Sequence, residues 1–176
     1  MQITEIKQQV KKMSKISKLL MVSCLVIGCL GGCGKKEVTP EARVELTKLQ
    51  EDMLSTKDEL PEMSTVSAND KKGEELFASL SDVEYDKIQD YFFAYAKDGM
   101  ASEVAVVFVK DKNDVAEVEK SLKEHRESRV LSYENYAPDQ VETAKSAVIF
   151  SKGNYVAYIM NKEFSHIKAT FESAME

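Results

Sequence analysis

The stretch AVIFSKGNYVAYIM, residues 147–160, is the best-defined hairpin of the chain, and it indicates that the fold contains antiparallel strands. Its two apolar runs, AVIF and YVAYIM, are rich in β-branched and aromatic residues, which favour strands. Between them lies SKGN, in which Gly153 and Asn154 tolerate the positive φ values of a tight turn. The stretch therefore predicts two antiparallel strands joined by a short turn.

A second hairpin is predicted upstream. Residues 91–96, YFFAYA, and residues 104–109, VAVVFV, have strand composition, and the KDGMAS between them contains the Asp-Gly pair of a turn. Residues 60–70, LPEMSTVSAND, contain Pro61 and a cluster of Ser, Thr, Asn and Asp, so they are expected to form a loop.

Helical periodicity surrounds both hairpins. In the last predicted helix, residues 163–175, Phe164, Ile167, Phe171 and Met175 recur at spacings of three and four, which places them on one face. The first predicted helix begins at residue 41 and is periodic up to Met53. The other predicted helices span residues 71–80, 114–136 and, as a single short turn of helix, 140–145. With that turn left out, the predicted order is α-α-β-β-α-β-β-α. This order predicts an α+β fold with a four-stranded antiparallel sheet and helices packed on one face.

The first 32 residues differ in composition from the rest. Five lysines lie within residues 7–18, and residues 19–30, LLMVSCLVIGCL, carry no charge. A basic stretch followed by a short apolar run and small residues is typical of an export signal. Twelve helical residues rise only about 18 Å, which is short of the roughly 30 Å of membrane hydrocarbon. Met1 and Met13 both remain possible starts of translation.

All three cysteines, Cys24, Cys29 and Cys33, lie in this region. A disulfide framework would spread cysteines through the folded part, and a structural zinc site usually has about four ligands. Residues 30–33, LGGC, resemble the lipobox of bacterial lipoproteins. That resemblance implies cleavage after Gly32 and a diacylglyceryl group, with fatty-acyl chains such as palmitate, on the thiol of Cys33. VIGC, which ends at Cys29, remains the alternative box.

The expected organisation is a signal peptide over residues 1–32, a tether over 33–40 and one α+β domain over 41–176. The signal holds five lysines and one glutamate, so the processed chain keeps 19 basic and 29 acidic residues, a formal charge of −10. An acidic surface repels nucleic acid and anionic lipid headgroups. The expected link to the membrane is therefore the lipid, and no nucleic-acid partner is expected.

The chain from about residue 59 to the C-terminus resembles domain-of-unknown-function family 4358, a family of short clostridial-type lipoproteins. The resemblance is carried by LPEMSTVS, SEVAVVFVKDKNDVAEVEKSL, SYENYAPDQV and AVIFSKGNYVAYIM, with KGNYV as the most specific piece. It covers about two-thirds of the chain. It implies the fold and an extracytoplasmic, lipid-anchored location, and it carries no activity, ligand or catalytic residue over to this chain.

Motifs for catalysis, metals and cofactors are weak. The two histidines, His125 and His166, lie in no recognisable hydrolase setting, and the chain has neither G-x-S-x-G nor a phosphate loop. DKNDVAEVE, residues 111–119, resembles the start of a calcium loop but lacks the central glycine and has Leu122 where the bidentate glutamate belongs. No catalytic residue, metal or cofactor is therefore expected.

Tyrosines provide the one feature that indicates ligand binding. Tyr133, Tyr136, Tyr155 and Tyr158 could line a groove with their hydroxyls, although such residues also often finish the edge of a core. The resulting interpretation is a non-catalytic binding or accessory protein of the cell envelope, with an unknown envelope protein or ligand as partner. A carboxylate-dependent hydrolase of envelope polymers is the alternative, and a purely structural envelope protein is a third possibility.

Overall fold

Five antiparallel strands form one sheet in the computed structural model, which describes residues 44–176. Both predicted hairpins are present, and β3 pairs with β5 so that the two hairpins lie side by side. The spatial order is β1-β2-β3-β5-β4. The strands are β1 (Met63–Ser67), β2 (Ile88–Ala96), β3 (Glu103–Val109), β4 (Val148–Lys152) and β5 (Tyr155–Met160).

Helices lie between β1 and β2, between β3 and β4, and at both ends of the described chain. The longest, α3, buries Val118, Leu122 and Tyr133. The helices are α1 (Leu46–Leu54), α2 (Gly73–Phe77), α3 (Val115–Tyr136), α4 (Val141–Lys145) and α5 (Ser165–Ala174). Each predicted helix therefore has a counterpart, and most of these are shorter than predicted.

The sheet has five strands instead of the predicted four. The additional strand, β1, lies inside residues 60–70, which were expected to form a loop, and it pairs with β2 from Met63↔Ala96 to Ser67↔Phe92. This strand is short, lies at the sheet edge and has no fully buried residue. Its Ser and Thr residues have the composition of a turn, but backbone pairing with β2 holds them in a strand.

The prediction that helices cover one face of the sheet is wrong. The face with Tyr91 and Val107 packs against α3 and α4, whereas the face with Val106 and Ile159 packs against α1 and α5. Along β3 and β5 nearly every residue is buried. A sheet buried on both faces has continuous apolar strands instead of alternating ones.

The predicted signal peptide, tether, Gly32 and Cys33 lie outside the described residues. Within residues 44–176, no helix is both long enough and apolar enough to cross a membrane.

Candidate ligand-binding cleft

A cleft of about 660 Å³ lies between the C-terminal half of α3 and the end of the sheet formed by β1, β2 and the start of β3. Small-molecule sites typically have volumes of roughly 300–1,000 Å³. The β2–β3 loop, residues 97–102, contributes one rim. Aromatic and apolar side chains form most of the wall, and a compact charged group lies at its base.

Glu103 lies at the base of the cleft because of its position in β3. Side chains alternate between the two faces of a strand, so Glu103 shares a face with Ala105 and Val107, which pack towards α3. The residue is only 3% exposed. A carboxylate buried to this extent needs ionic or hydrogen-bonding partners.

The partners of Glu103 come from α3. Nε2 of His125 lies 2.8 Å from Oε2 of Glu103, within hydrogen-bond distance. Nε of Arg129 lies 2.8 Å from Oε1 in an ion-pair contact that is not aligned as a hydrogen bond. Residues four apart share a face of a helix, so His125 and Arg129 both point towards the start of β3.

Tyr133 holds the guanidinium of Arg129 from the other side. Nη2 of Arg129 donates a hydrogen bond to the phenol of Tyr133, and the guanidinium carbon lies 4.7 Å from the centre of that ring. Burial lowers the pKa of Arg129, but Glu103 and the two nearby tyrosines, Tyr133 and Tyr136, outweigh it and raise the pKa above its ordinary value. The side chain is therefore a fixed cation with 27% exposure.

Two tyrosines of α3 attach the rim of the cleft to the helix. The hydroxyls of Tyr133 and Tyr136 donate to the carbonyl oxygen of Gly99, at 3.2 and 3.3 Å. Gly99 has φ of 78°, a conformation that suits glycine. Burial is the largest cause of the raised pKa of Tyr133, so this phenol stays a donor. Tyr136 is 59% exposed and presents its ring at the mouth.

Aromatic rings enclose His125 within the base. Its ring meets Phe93 at 5.9 Å and Tyr158 at 5.6 Å between centres, both in edge-to-face geometry. Tyr158 is fully buried, and burial followed by the nearby Glu103 carboxylate raises its pKa well above the ordinary value. The His125 side chain is therefore packed tightly, with 12% exposure.

The structure does not bring the four predicted tyrosines into one groove. Tyr133 and Tyr136 lie at the cleft, and Tyr158 lies beneath its base. Tyr155 belongs to the opposite face of the sheet, where its ring stacks on Phe108 at 4.3 Å and its hydroxyl accepts a hydrogen bond from the N–H of Val44. An odd spacing along β5 separates Tyr155 from Tyr158, which places them on opposite faces.

His166, the other histidine, has a side-chain exposure of 59% and also a specific partner. Its Nδ1 lies 2.7 Å from Oδ1 of Asp58, whose other oxygen accepts hydrogen bonds from the N–H groups of His166 and Ile167. These contacts cap the start of α5. They form a structural contact away from the cleft.

No cluster of three or more potential metal-ligating His, Cys, Asp or Glu side chains occurs among residues 44–176. The segment 111–119 resembles a calcium loop in sequence. It begins with a turn in which the Asp111 side chain accepts a hydrogen bond from the N–H of Asn113, and the rest of the segment belongs to the start of α3. It is a helix start.

Glu103 and Arg129 are the cleft residues that sequence reasoning missed. A signal for Arg129 exists, because Val118, Leu122, His125, Arg129 and Tyr133 follow one another at spacings of three and four and so continue the buried stripe of α3. Glu103 has the same parity as Ala105 and Val107, the residues of β3 that pack towards α3. Both positions predict burial, and neither predicts that the two side chains meet.

The fold and cleft together define a class of protein: an α+β domain built on a five-stranded antiparallel sheet, with a ligand-sized cleft on one face. The chain belongs to the family described as Domain of unknown function (DUF4358), which matches residues 63–161. This segment contains the whole sheet and every residue of the cleft, whereas α1 and α5 lie outside it. The search of curated proteins and the search of solved structures each find no match.

Proposed function

We propose that this protein is a lipid-anchored, extracytoplasmic binding protein of the cell envelope whose ligand site is the cleft between α3 and the sheet. The observation that carries the binding role is the preorganised base of the cleft, where Glu103 and Tyr133 hold Arg129 in place. Ligand pockets combine an apolar, aromatic wall with a few fixed polar groups, and this cleft has both parts.

The composition of the cleft supports binding over the alternative of a carboxylate-dependent hydrolase. Glycosidase-type hydrolysis needs two carboxyl groups facing the scissile bond. Among the described residues that line the cleft, Glu103 is the one carboxylate, and its oxygens contact His125 and Arg129. A group engaged in this way supports the wall of a site and is poorly placed to transfer a proton to a substrate.

The lipid anchor is supported by the order of features in residues 1–33. A lysine-rich stretch, an uncharged apolar run and LGGC follow one another in the arrangement that an exported lipoprotein needs. Stable anchoring takes two acyl chains, at about 0.8 kcal/mol per buried methylene. In this arrangement residues 1–32 are removed, Cys33 becomes the first residue and residues 33–40 are the tether.

Replacing Cys33 with alanine is expected to abolish lipid labelling. The thiol of Cys33 is the proposed attachment point, and alanine has no nucleophile to accept the diacylglyceryl group. The measurement is in-gel detection of a clickable fatty acid in cells that express the full chain. Cys24→Ala and Cys29→Ala are matched controls and should label normally. Unchanged labelling of Cys33→Ala, with loss in Cys29→Ala, would move the anchor to the alternative box.

The binding role predicts a ligand that raises the melting temperature of the full chain in a thermal-shift screen of envelope fragments. A ligand present at 100 times its dissociation constant stabilises the folded state by about 2.7 kcal/mol, which shifts the melting temperature by several degrees. Tyr136→Ala removes an aromatic ring at the mouth of the cleft and should reduce the shift by at least half.

Leu131→Ala is the matched control for Tyr136→Ala. Leu131 lies on the same helix with 62% exposure, against 59% for Tyr136, and it does not line the cleft. The ligand should raise the melting temperature of Leu131→Ala by as much as that of the unmodified chain. A screen in which no fragment changes the melting temperature, together with a pull-down of the anchored protein that recovers no partner, would refute the binding role.

A further inference from the structure

We infer that the cleft recognises a carboxylate group carried on an apolar or aromatic body, with Arg129 as the residue that binds the carboxylate. This inference rests on the proposed function, because it assigns a ligand class to the same cleft. It follows from the polar groups that remain available in the cleft after the contacts within the protein are made.

The available polar groups are mainly hydrogen-bond donors. The contacts of Arg129 use Nε and Nη2, so Nη1 has no acceptor among the described residues. The hydroxyls of Ser128 and Ser132, one turn apart on α3, also line the cleft and make no hydrogen bond within residues 44–176. The strongest acceptor, the Glu103 carboxylate, is 3% exposed and faces its two partners. A ligand must therefore supply acceptors.

Arg129 is prepared for such a ligand before it binds. Glu103 lies beside Nε, and Tyr133 accepts from Nη2 and lies under the guanidinium plane. A planar guanidinium presents paired N–H groups that match the two oxygens of a carboxylate. Because the side chain is already fixed, little rotamer freedom is lost on binding.

The wall next to Arg129 suits an apolar or aromatic body. Phe93 and Tyr95 form a tilted pair with ring centres 5.4 Å apart, and Tyr95 is 37% exposed. Met100 and Tyr136 are 41% and 59% exposed on the opposite rim. Exposed aromatic and methionine side chains around a concave surface favour apolar contact with a ligand.

Local charge agrees with an anionic ligand. Arg129 and Lys97 line the cleft against the single carboxylate of Glu103, whereas the chain as a whole has a formal charge of −6. Lys97 pairs with Glu62 at the rim, where both side chains are well exposed, at 49% and 79%, so that pair is screened by solvent. Among its lining residues the cleft therefore carries more cations than carboxylates, unlike the chain as a whole.

The test compares N-acetyl-phenylalanine with its amide by isothermal titration calorimetry on the full chain in non-ionic detergent micelles. The two probes share the aromatic body and differ in the carboxylate. The acid is expected to bind at least tenfold more tightly than the amide, and its affinity should fall as salt is added because the contact is ionic. Equal affinity for acid and amide would overturn the inference.

Matched variants assign the contact to Arg129. Arg129→Met should weaken binding of the acid at least tenfold, whereas Arg126→Met should leave it unchanged. Arg126 is the control because it lies on the same helix with 31% exposure, against 27% for Arg129, and does not line the cleft. Full affinity in Arg129→Met would overturn the assignment.

Arg129→Met also leaves Glu103 with one partner fewer, so a second variant keeps the test valid if the single variant unfolds. Glu103→Leu/Arg129→Met removes both charges together, and replacing a buried ion pair with apolar residues is often neutral for stability. This folded double variant should also lose at least tenfold in affinity for the acid. Circular dichroism and a melting curve check that each variant is folded.

A second pair of probes distinguishes two sources of the carboxylate. Acetyl-Ala-Ala-Phe is used with a free C-terminus and as its amide. Binding of the free peptide at least tenfold tighter than that of N-acetyl-phenylalanine identifies a peptide C-terminus, whereas equal binding of the two acids identifies a small aromatic acid. Both outcomes support the inference.

The failure of this inference can be separated from failure of the proposed function. If no acid binds but a neutral fragment raises the melting temperature and loses its effect in Tyr136→Ala, the carboxylate inference is wrong and the cleft is still a binding site. If no acid binds and no fragment shifts the melting temperature, both are wrong.

Discussion

Replacing Glu103 with alanine is expected to lower the free energy of unfolding by about 3 kcal/mol. The variant leaves the partly buried guanidinium of Arg129 without its counter-ion and the His125 ring without its hydrogen-bond partner. Removing one member of a buried ion pair is strongly destabilising, because the remaining charge is desolvated and uncompensated. The measurement is urea denaturation followed by circular dichroism.

Glu62→Ala is the matched control for Glu103→Ala. Glu62 is also a glutamate in an ion pair, but its side chain is 79% exposed. Exposed pairs contribute about 0–1 kcal/mol, so this variant should be close to the unmodified chain. The double variant Glu103→Leu/Arg129→Met should recover at least half of the loss. If Glu103→Ala is no less stable than Glu62→Ala, the buried pair does not stabilise the fold.

Replacing Asp58 with alanine is expected to lower the free energy of unfolding by about 2 kcal/mol, at the upper end of helix-cap losses. Asp58 follows α1 in the chain, and its carboxylate accepts from the N–H groups of His166 and Ile167 at 2.8 and 2.9 Å. The residue before α5 is Phe164, which has no side-chain acceptor. Asp58 therefore supplies the cap from 108 residues away.

The contribution of Asp58 should depend on pH. Burial raises the pKa of Asp58, but the N–H of Ile167 and the ring and N–H of His166 outweigh it, and the pKa lies below its ordinary value. A carboxyl group with a lower pKa in the folded state stabilises the protein above the unfolded value of about 3.9. That stability is lost as the pH falls through the folded value.

The measurement is urea denaturation of the unmodified chain and Asp58→Ala at several pH values. The difference in free energy of unfolding between the two proteins should have its largest value near pH 6 and should decrease below about pH 4. Asp58→Asn keeps one acceptor oxygen, so its free energy of unfolding should decrease less than that of Asp58→Ala. Asp52→Ala, which removes an exposed carboxylate of α1 paired with Lys48, is the control and should change little. A difference that is the same at pH 3 and pH 6 would show that ionised Asp58 is not the cap.

Both hairpins were predictable from the sequence because their signals are local. In the hairpin of β4 and β5, residues of strand composition lie on both sides of Gly153, which adopts φ of 60° in the turn. The same holds for the periodic face of α5, where Ile167 and Phe171 are buried as predicted. These signals lie within a dozen residues of chain.

The edge strand β1 was not predictable in the same way. Ser64, Thr65 and Ser67 have turn composition, and only pairing with β2 holds them extended. Strand preference depends more on packing and pairing than on intrinsic tendency. Coverage of both faces did leave a signal, since VAVVFV and YVAYIM are continuous apolar runs where a half-exposed strand would alternate.

Local patterns in the sequence specify the hairpins, the helices and the order of features around Cys33, because each depends on neighbouring residues. The contacts of Glu103 with His125 and Arg129, and the capping of α5 by Asp58, arise only when the chain is folded. These contacts depend on the strand order and on where α3 crosses the sheet. Strand order and crossing are set by how the whole core packs, so no local pattern records them.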